Sequence, residues 1–155
     1  MSLTLTQKET SLLKDMKEQE KLCVEKYTKH AKAAHDPQLQ SLFNSIAAIE
    51  KHHLELLTQM ETGQSPAPGA GAEGQKGTTT FQAFYPATDT PEKQQDAYLC
   101  ADLLATEKHA SALYNTCVFE FGQPALRKTL NQIQTDEQHH GEQLWQYMKV
   151  NGMYA

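Results

Sequence analysis

Displacing the sequence by 87 residues lays its second half over its first without a gap, and thirteen of the 44 positions from 14 to 57 are then identical. The matched pairs include Glu20 with Glu107, Tyr27 with Tyr114, Pro37 with Pro124, Glu50 with Glu137, and His52-His53 with His139-His140. A constant offset with no gap means that both halves must fold alike, with equivalent side chains inward. The expectation is a duplicated unit with approximate two-fold symmetry.

Capping signals show what the unit is. Thr6-Gln7-Lys8-Glu9 fits the capping box, in which hydroxyl and carboxylate reciprocally satisfy orphan amides at a helix start. Asp36-Pro37 and Thr90-Pro91-Glu92 place a side-chain acceptor before a proline whose missing N–H costs nothing in the first turn. Gln123-Pro124 opens a fourth helix, and Asn151-Gly152 suits its C-cap. The pattern predicts helices from residue 7 to about Ala34, from 37 to about Met60, from 91 to near Gly122, and from 124 to about residue 150. Short loops fold these into two antiparallel hairpins, over 6–60 and 90–150. Between them lies a crossover linker, residues 61–89, rich in Gly, Pro, Ala and Thr and without helical periodicity, in which only the region of Phe81, Phe84 and Tyr85 is expected to be ordered. A helix of about 25 residues is roughly 38 Å long, whereas a linker of about 29 residues can reach roughly 90 Å. The linker can therefore run the length of a bundle. The fold class expected is all-α: one domain over 1–155, a ferritin-like four-helix bundle of two duplicated hairpins joined by a long crossover.

The formal net charge of −5 and the pI near 5.8 supply no basic stripe for a phosphate backbone, so nucleic acid is not an expected partner. No apolar run approaches the roughly 20 residues that span a bilayer, and the N-terminal stretch lacks the basic-then-apolar layout of a signal peptide, so residence inside a cell is expected. Cys23, Cys100 and Cys117 have no Cys-x-x-Cys spacing and read as small buried hydrophobes.

Each helix carries an apolar stripe at three- and four-residue spacing, and each stripe is interrupted by a carboxylate. The stripes run Leu13, Met16, Glu20, Cys23, Tyr27; then Phe43, Ile46, Glu50, His53, Leu57; then Cys100, Leu103, Glu107, Ala110, Tyr114; then Leu130, Ile133, Glu137, His140, Leu144. Four ionised carboxylates facing one core would cost several kcal/mol each without compensation, and no lysine or arginine lies on the stripes. Two divalent cations would cancel the four charges and leave two neutral imidazoles as nitrogen ligands. One Glu from each of two helices, with Glu-x-x-His from each of the other two, is the ligand set of dimetal carboxylate bundles. The candidate ligands are Glu20, Glu50, His53, Glu107, Glu137 and His140. Iron is the first choice of metal, with manganese or zinc as alternatives. His52 and His139 are turned about 100° from their neighbours and belong to a helix interface or to solvent. Tyr27 and Tyr114 are placed to donate to a ligand carboxylate, or else pack plainly in the core. His30, His35 and His109 read as unpaired.

The stretch from Leu5 to His53, "LTQKETSLLKDMKEQEKLCVEKYTKHAKAAHDPQLQSLFNSIAAIEKHH", and the ending "YMKVNGMY" resemble the coat F family of spore coat proteins, within the ferritin-like superfamily. The resemblance extends over both hairpins and leaves the linker out. It implies a protein made in the mother cell and lodged in the spore coat, with other spore coat proteins as partners; a homodimer is left open. The ligand pattern is also similar to that of rubrerythrins and bacterioferritins, although the chain lacks the Cys-x-x-Cys pair of a rubredoxin-like iron centre. Three functions remain in play: a structural coat protein with a dimetal centre, a rubrerythrin-like di-iron oxidase or peroxidase acting in oxidative-stress defence, and an interaction module whose Glu and His form only a hydrogen-bonded polar core.

Overall fold

A computed structural model describes residues 3–66 and 80–154. Among the described residues the chain is all-helical: α1 (Gln7–Ala33), α2 (Pro37–Glu61), α3 (Pro91–Val118) and α4 (Pro124–Val150). The starts follow the capping signals. Thr6 Oγ1 accepts from Glu9 N at 3.1 Å while Glu9 Oε1 accepts from Thr6 N at 2.8 Å, closing the capping box of α1. Asp36 Oδ1 accepts from Gln38 N, and Thr90 Oγ1 from Lys93 N. Gln123 makes no side-chain cap. Arg127 instead reaches back from α4 to donate to the carbonyls of Phe121 and Gly122, satisfying the turn from the other side. Gly152 closes α4 at φ 65°, a left-handed conformation that favours glycine.

One boundary differs from expectation. α3 ends at Val118 rather than near Gly122, because Glu120 N turns back to Cys117 O and Gly122 N is taken by the carboxylate of Glu9. Phe121 continues the apolar pattern and is buried, but it does so from the loop.

α1 runs antiparallel to α2 within the first hairpin and antiparallel to α3 across the bundle. The ion pairs Lys8–Glu120 (2.5 Å) and Lys26–Asp102 (3.1 Å) fix the latter register. α2 therefore ends where α1 begins, with Leu3 N bonded to Gly63 O, whereas α3 begins where α1 ends, with His35 N bonded to Asp96 Oδ1 at 2.9 Å. The chain between α2 and α3 must cover the whole bundle length. Residues 67–79 of that linker lie outside the described residues. Its end is tied down: Gln82 exchanges two hydrogen bonds with Gln38, Phe81 packs edge-on against Tyr147, and the amides of Phe84 and Tyr85 donate to Asn151 Oδ1.

Every stripe residue read from the sequence is buried. The core separates into two apolar clusters, one around Tyr27, Phe43, Cys100, Leu144 and Tyr147, the other around Leu13, Met16, Leu57, Tyr114 and Leu130. Between them lies a layer of carboxylates and imidazoles, capped by apolar side chains at both ends. All three cysteines are buried and unbridged, as read. No helix among the described residues is long and apolar enough to cross a membrane.

Candidate metal centre

Glu20 on α1, Glu50 and His53 on α2, Glu107 on α3, and Glu137 and His140 on α4 all point into the central layer, each at most 2 % exposed. Their side chains form two overlapping donor groups: Glu20, Glu50, His53 and Glu137, and Glu50, Glu107, Glu137 and His140. Within each group one ligand atom per residue lies within 4.8 Å of all the others. Glu50 and Glu137 belong to both, so two carboxylates stand between two positions, each completed by its own glutamate and its own histidine.

Both imidazoles turn Nδ1 toward the centre. His53 Nδ1 is 3.1 Å from Glu137 and 3.7 Å from Glu20; His140 Nδ1 is 2.9 Å from Glu50 and 3.5 Å from Glu107. The tyrosines are hydrogen-bond donors, across the bundle rather than along their own helix: Tyr27 Oη donates to Glu107 Oε1 at 2.7 Å and Tyr114 Oη to Glu20 Oε1 at 2.5 Å. Adding 87 to one partner and subtracting it from the other converts each of these contacts into its counterpart. The same holds nearer the bundle ends, where Glu9 accepts from Gly122 N and Asp96 from His35 N.

The polar atoms of this layer are poorly satisfied. Both oxygens of Glu50 and Glu137, one oxygen each of Glu20 and Glu107, and Nδ1 of both histidines are buried without a hydrogen-bond partner. Native interiors rarely tolerate such groups, and one lysine alone is buried among the described residues, Lys93, which serves the carbonyls of Pro86 and Ala87. Burial, then the charges of Glu20 and Glu107, holds the Glu50 carboxyl well above the usual carboxylate range. Burial, followed by Glu107, Glu50 and Glu20, does the same to Glu137. For His53, burial opposes protonation, but the hydrogen bond to Asp136 and the nearby carboxylates of Glu137 and Glu20 outweigh it and raise its pKa well above normal. His140 is raised too, its burial overcome by the charge of Glu107. Glu107 is lowered despite burial, by His140, Glu137 and Tyr27. Without cations the layer must store protons. Oxygen and imidazole donors with free lone pairs, converging from four helices, fit two divalent ions.

His52 and His139 stay outside, their side chains 44 % and 43 % exposed beside Glu55 and Glu142. His30 corrects the reading of unpaired histidines: its Nε2 lies 2.8 Å from Asp102 Oδ2, in a partly buried seam with Lys26 and Thr106. His35 and His109 are exposed. The sequence reading missed Asp136. This fully buried carboxylate accepts from His53 Nε2 at 2.7 Å. Its signal was present in "DEQHH", where an acid stands directly before the candidate ligand Glu137.

Residues 95–155 match the family model of the Coat F domain. The match takes in 61 of the chain's 155 residues, from the first turns of α3 through α4, and so includes Glu107, Glu137 and His140. The resemblance read from the sequence lay over both hairpins, whereas the family match covers the second. No curated protein and no solved structure matches the chain.

Proposed function

We propose that this chain is a ferritin-like protein of the spore coat, coat F-like, whose four-helix bundle is a duplicated hairpin built around a carboxylate-bridged dimetal centre. The Coat F match over residues 95–155 supports the location. The observation that carries the centre is the pair of donor groups sharing Glu50 and Glu137. Glu50 and Glu137 would bridge the ions, Glu20 and His53 would complete one position, and Glu107 and His140 the other. Bound divalent ions supply the positive charge that the buried carboxylates lack and, if iron, a redox couple. The chain's own residues orient the donors: Tyr27 and Tyr114 leave one oxygen of each terminal glutamate free, and the two apolar clusters exclude water from both ends.

Ions that bind the folded state alone raise its melting temperature by mass action. Dialysed protein should therefore melt several degrees higher with two equivalents of Fe2+ or Mn2+, and the Glu50→Ala, Glu137→Ala variant should not respond. A wild-type curve indifferent to these metals and to Zn2+ contradicts the centre. For the location, antibody detection in fractionated spores should find the chain in the coat extract, with the variant retained there. Rapid oxidation of Fe2+ by peroxide at the wild-type centre alone would move the assignment toward an oxidase or peroxidase.

A further inference from the structure

The two halves of the centre follow the 87-residue offset in their main contacts, but the outer nitrogens of the two histidines differ. His53 Nε2 donates to Asp136 Oδ2 at 2.7 Å, both side chains being fully buried, and Asp136 Oδ1 accepts from Gln132 Nε2 at 3.2 Å. The offset carries Asp136 to Ile49 and Gln132 to Ser45, so the first hairpin has no carboxylate at the matching position. His140 Nε2, equally buried, has no hydrogen-bond partner. The terminal glutamates do not differ in this way, since each accepts from one tyrosine.

An imidazole that gives its outer N–H to a carboxylate is held in one tautomer, with the lone pair of the inner nitrogen aimed at the ion, and it becomes a stronger donor. His53 meets that description, with Nδ1 facing the centre and Nε2 pinned. His140 faces the centre in the same way, but no partner on Nε2 selects its tautomer, and binding there must bear the cost of an unsatisfied Nε2–H. Asp136 also sets a carboxyl group against His53 at a place where the offset gives Ile49 in the other hairpin. We propose that the two ion positions are inequivalent: the position of Glu20 and His53 fills first and holds a divalent cation tightly, the position of Glu107 and His140 takes a second, exchangeable one, and Asp136 is the positioning residue that separates them. This rests on the dimetal reading of the centre.

Cobalt(II) is a suitable probe, because nitrogen and oxygen donors bind it and its visible spectrum reports each position. Crystals of the wild type given one equivalent of Co2+ should show anomalous density beside Glu20 and His53, a readout that needs no variant. In solution, anaerobic titration should resolve two steps. Asp136→Asn, which keeps the side chain's shape, should weaken the first by about 10- to 100-fold and leave the second in place. Glu107→Gln should remove the weaker step and keep the stronger. Equal density at the two positions, a single step for two equivalent ions, or loss of the stronger step in Glu107→Gln would overturn the inequivalence while leaving the dimetal centre standing. A wild type that binds no Co2+ would overturn both.

Discussion

The bundle buries carboxylates in two places and treats them in opposite ways. At the end where α1 meets α2, Asp36 and Asp96 are fully buried, yet their oxygens are occupied: Asp36 accepts from Gln38 N and, at 2.6 Å, from Tyr147 Oη, while Asp96 accepts from the amides of His35 and Asp36 and from Tyr85 Oη at 2.5 Å. In the central layer Glu50 and Glu137 are as deeply buried, and no backbone amide or hydroxyl among the described residues donates to them; only the imidazoles of His140 and His53 come near, at 2.9 and 3.1 Å. Burial of an acid is therefore not the mark of a metal position. The mark is lone pairs that the protein leaves empty and aims at a common point. The end cluster is a protein-satisfied network that fixes a turn and latches the linker. The central layer leaves carboxylate lone pairs without a hydrogen-bond partner among the described residues.

Mutations at the two places should have opposite signs in the metal-free protein. Asp96→Ala strands three buried or part-buried donors and should cost about 3–5 kcal/mol in urea unfolding. Replacing Glu50 and Glu137 together by methionine removes carboxyls that nothing satisfies, and should instead be neutral or stabilise the metal-free fold by about 1–4 kcal/mol. A large loss from the methionine pair would mean that the central layer is a structural network like the end cluster.

The pH dependence sharpens the contrast. Glu50 and Glu137 have folded pKa values raised above the ordinary 4.5, and His53 and His140 above the ordinary 6.5, so each contributes stability that is present below its ordinary value and lost as pH rises through the raised one. Glu107 is lowered and acts in the opposite sense, its contribution being present above 4.5 and lost on acidification. Glu107 acts only on the acid side of 4.5, so the four raised groups set the trend above it, and the metal-free protein should lose melting temperature between about pH 5 and pH 8. With two metal ions bound the trend should reverse, because the ions displace the stored protons. Smaller effects test the offset. Tyr27→Phe and Tyr114→Phe each remove one hydroxyl from a glutamate and should cost about 1 kcal/mol apiece, alike within a few tenths. His52→Ala and His139→Ala should change stability by no more than about 0.5 kcal/mol and leave metal binding intact.

Much of this was legible in the sequence because helical periodicity and the repeat constrain the same residues twice. The stripes fix which face of each helix is inward, and the offset requires Glu20 and Glu107, Glu50 and Glu137, and His53 and His140 to share a fate; all six meet in one layer. What escaped was set between helices. Asp136 lies three residues after Ile133 and four before His140, at the edge of the inward stripe, so periodicity allows its burial, but its partner His53 is 83 residues away in the chain and is supplied only by the approach of α2. His30 looked unpaired because Asp102 is 72 residues away in the chain. The end of α3 was placed four residues late because Phe121 keeps the apolar rhythm, while the competing bond from Gly122 N to Glu9 belongs to another helix. Asp36 was legible as a cap, but its bond to Tyr147 was not.

The central claim is a count of ions. Plasma mass spectrometry of the protein purified without chelator, referenced to sulfur from its three cysteines and five methionines, should give close to two iron, manganese or zinc ions per chain in the wild type and none in the Glu50→Ala, Glu137→Ala variant. A folded wild type with no bound metal, before or after incubation with each of the three, would contradict the account and leave the central layer a proton-filled polar core.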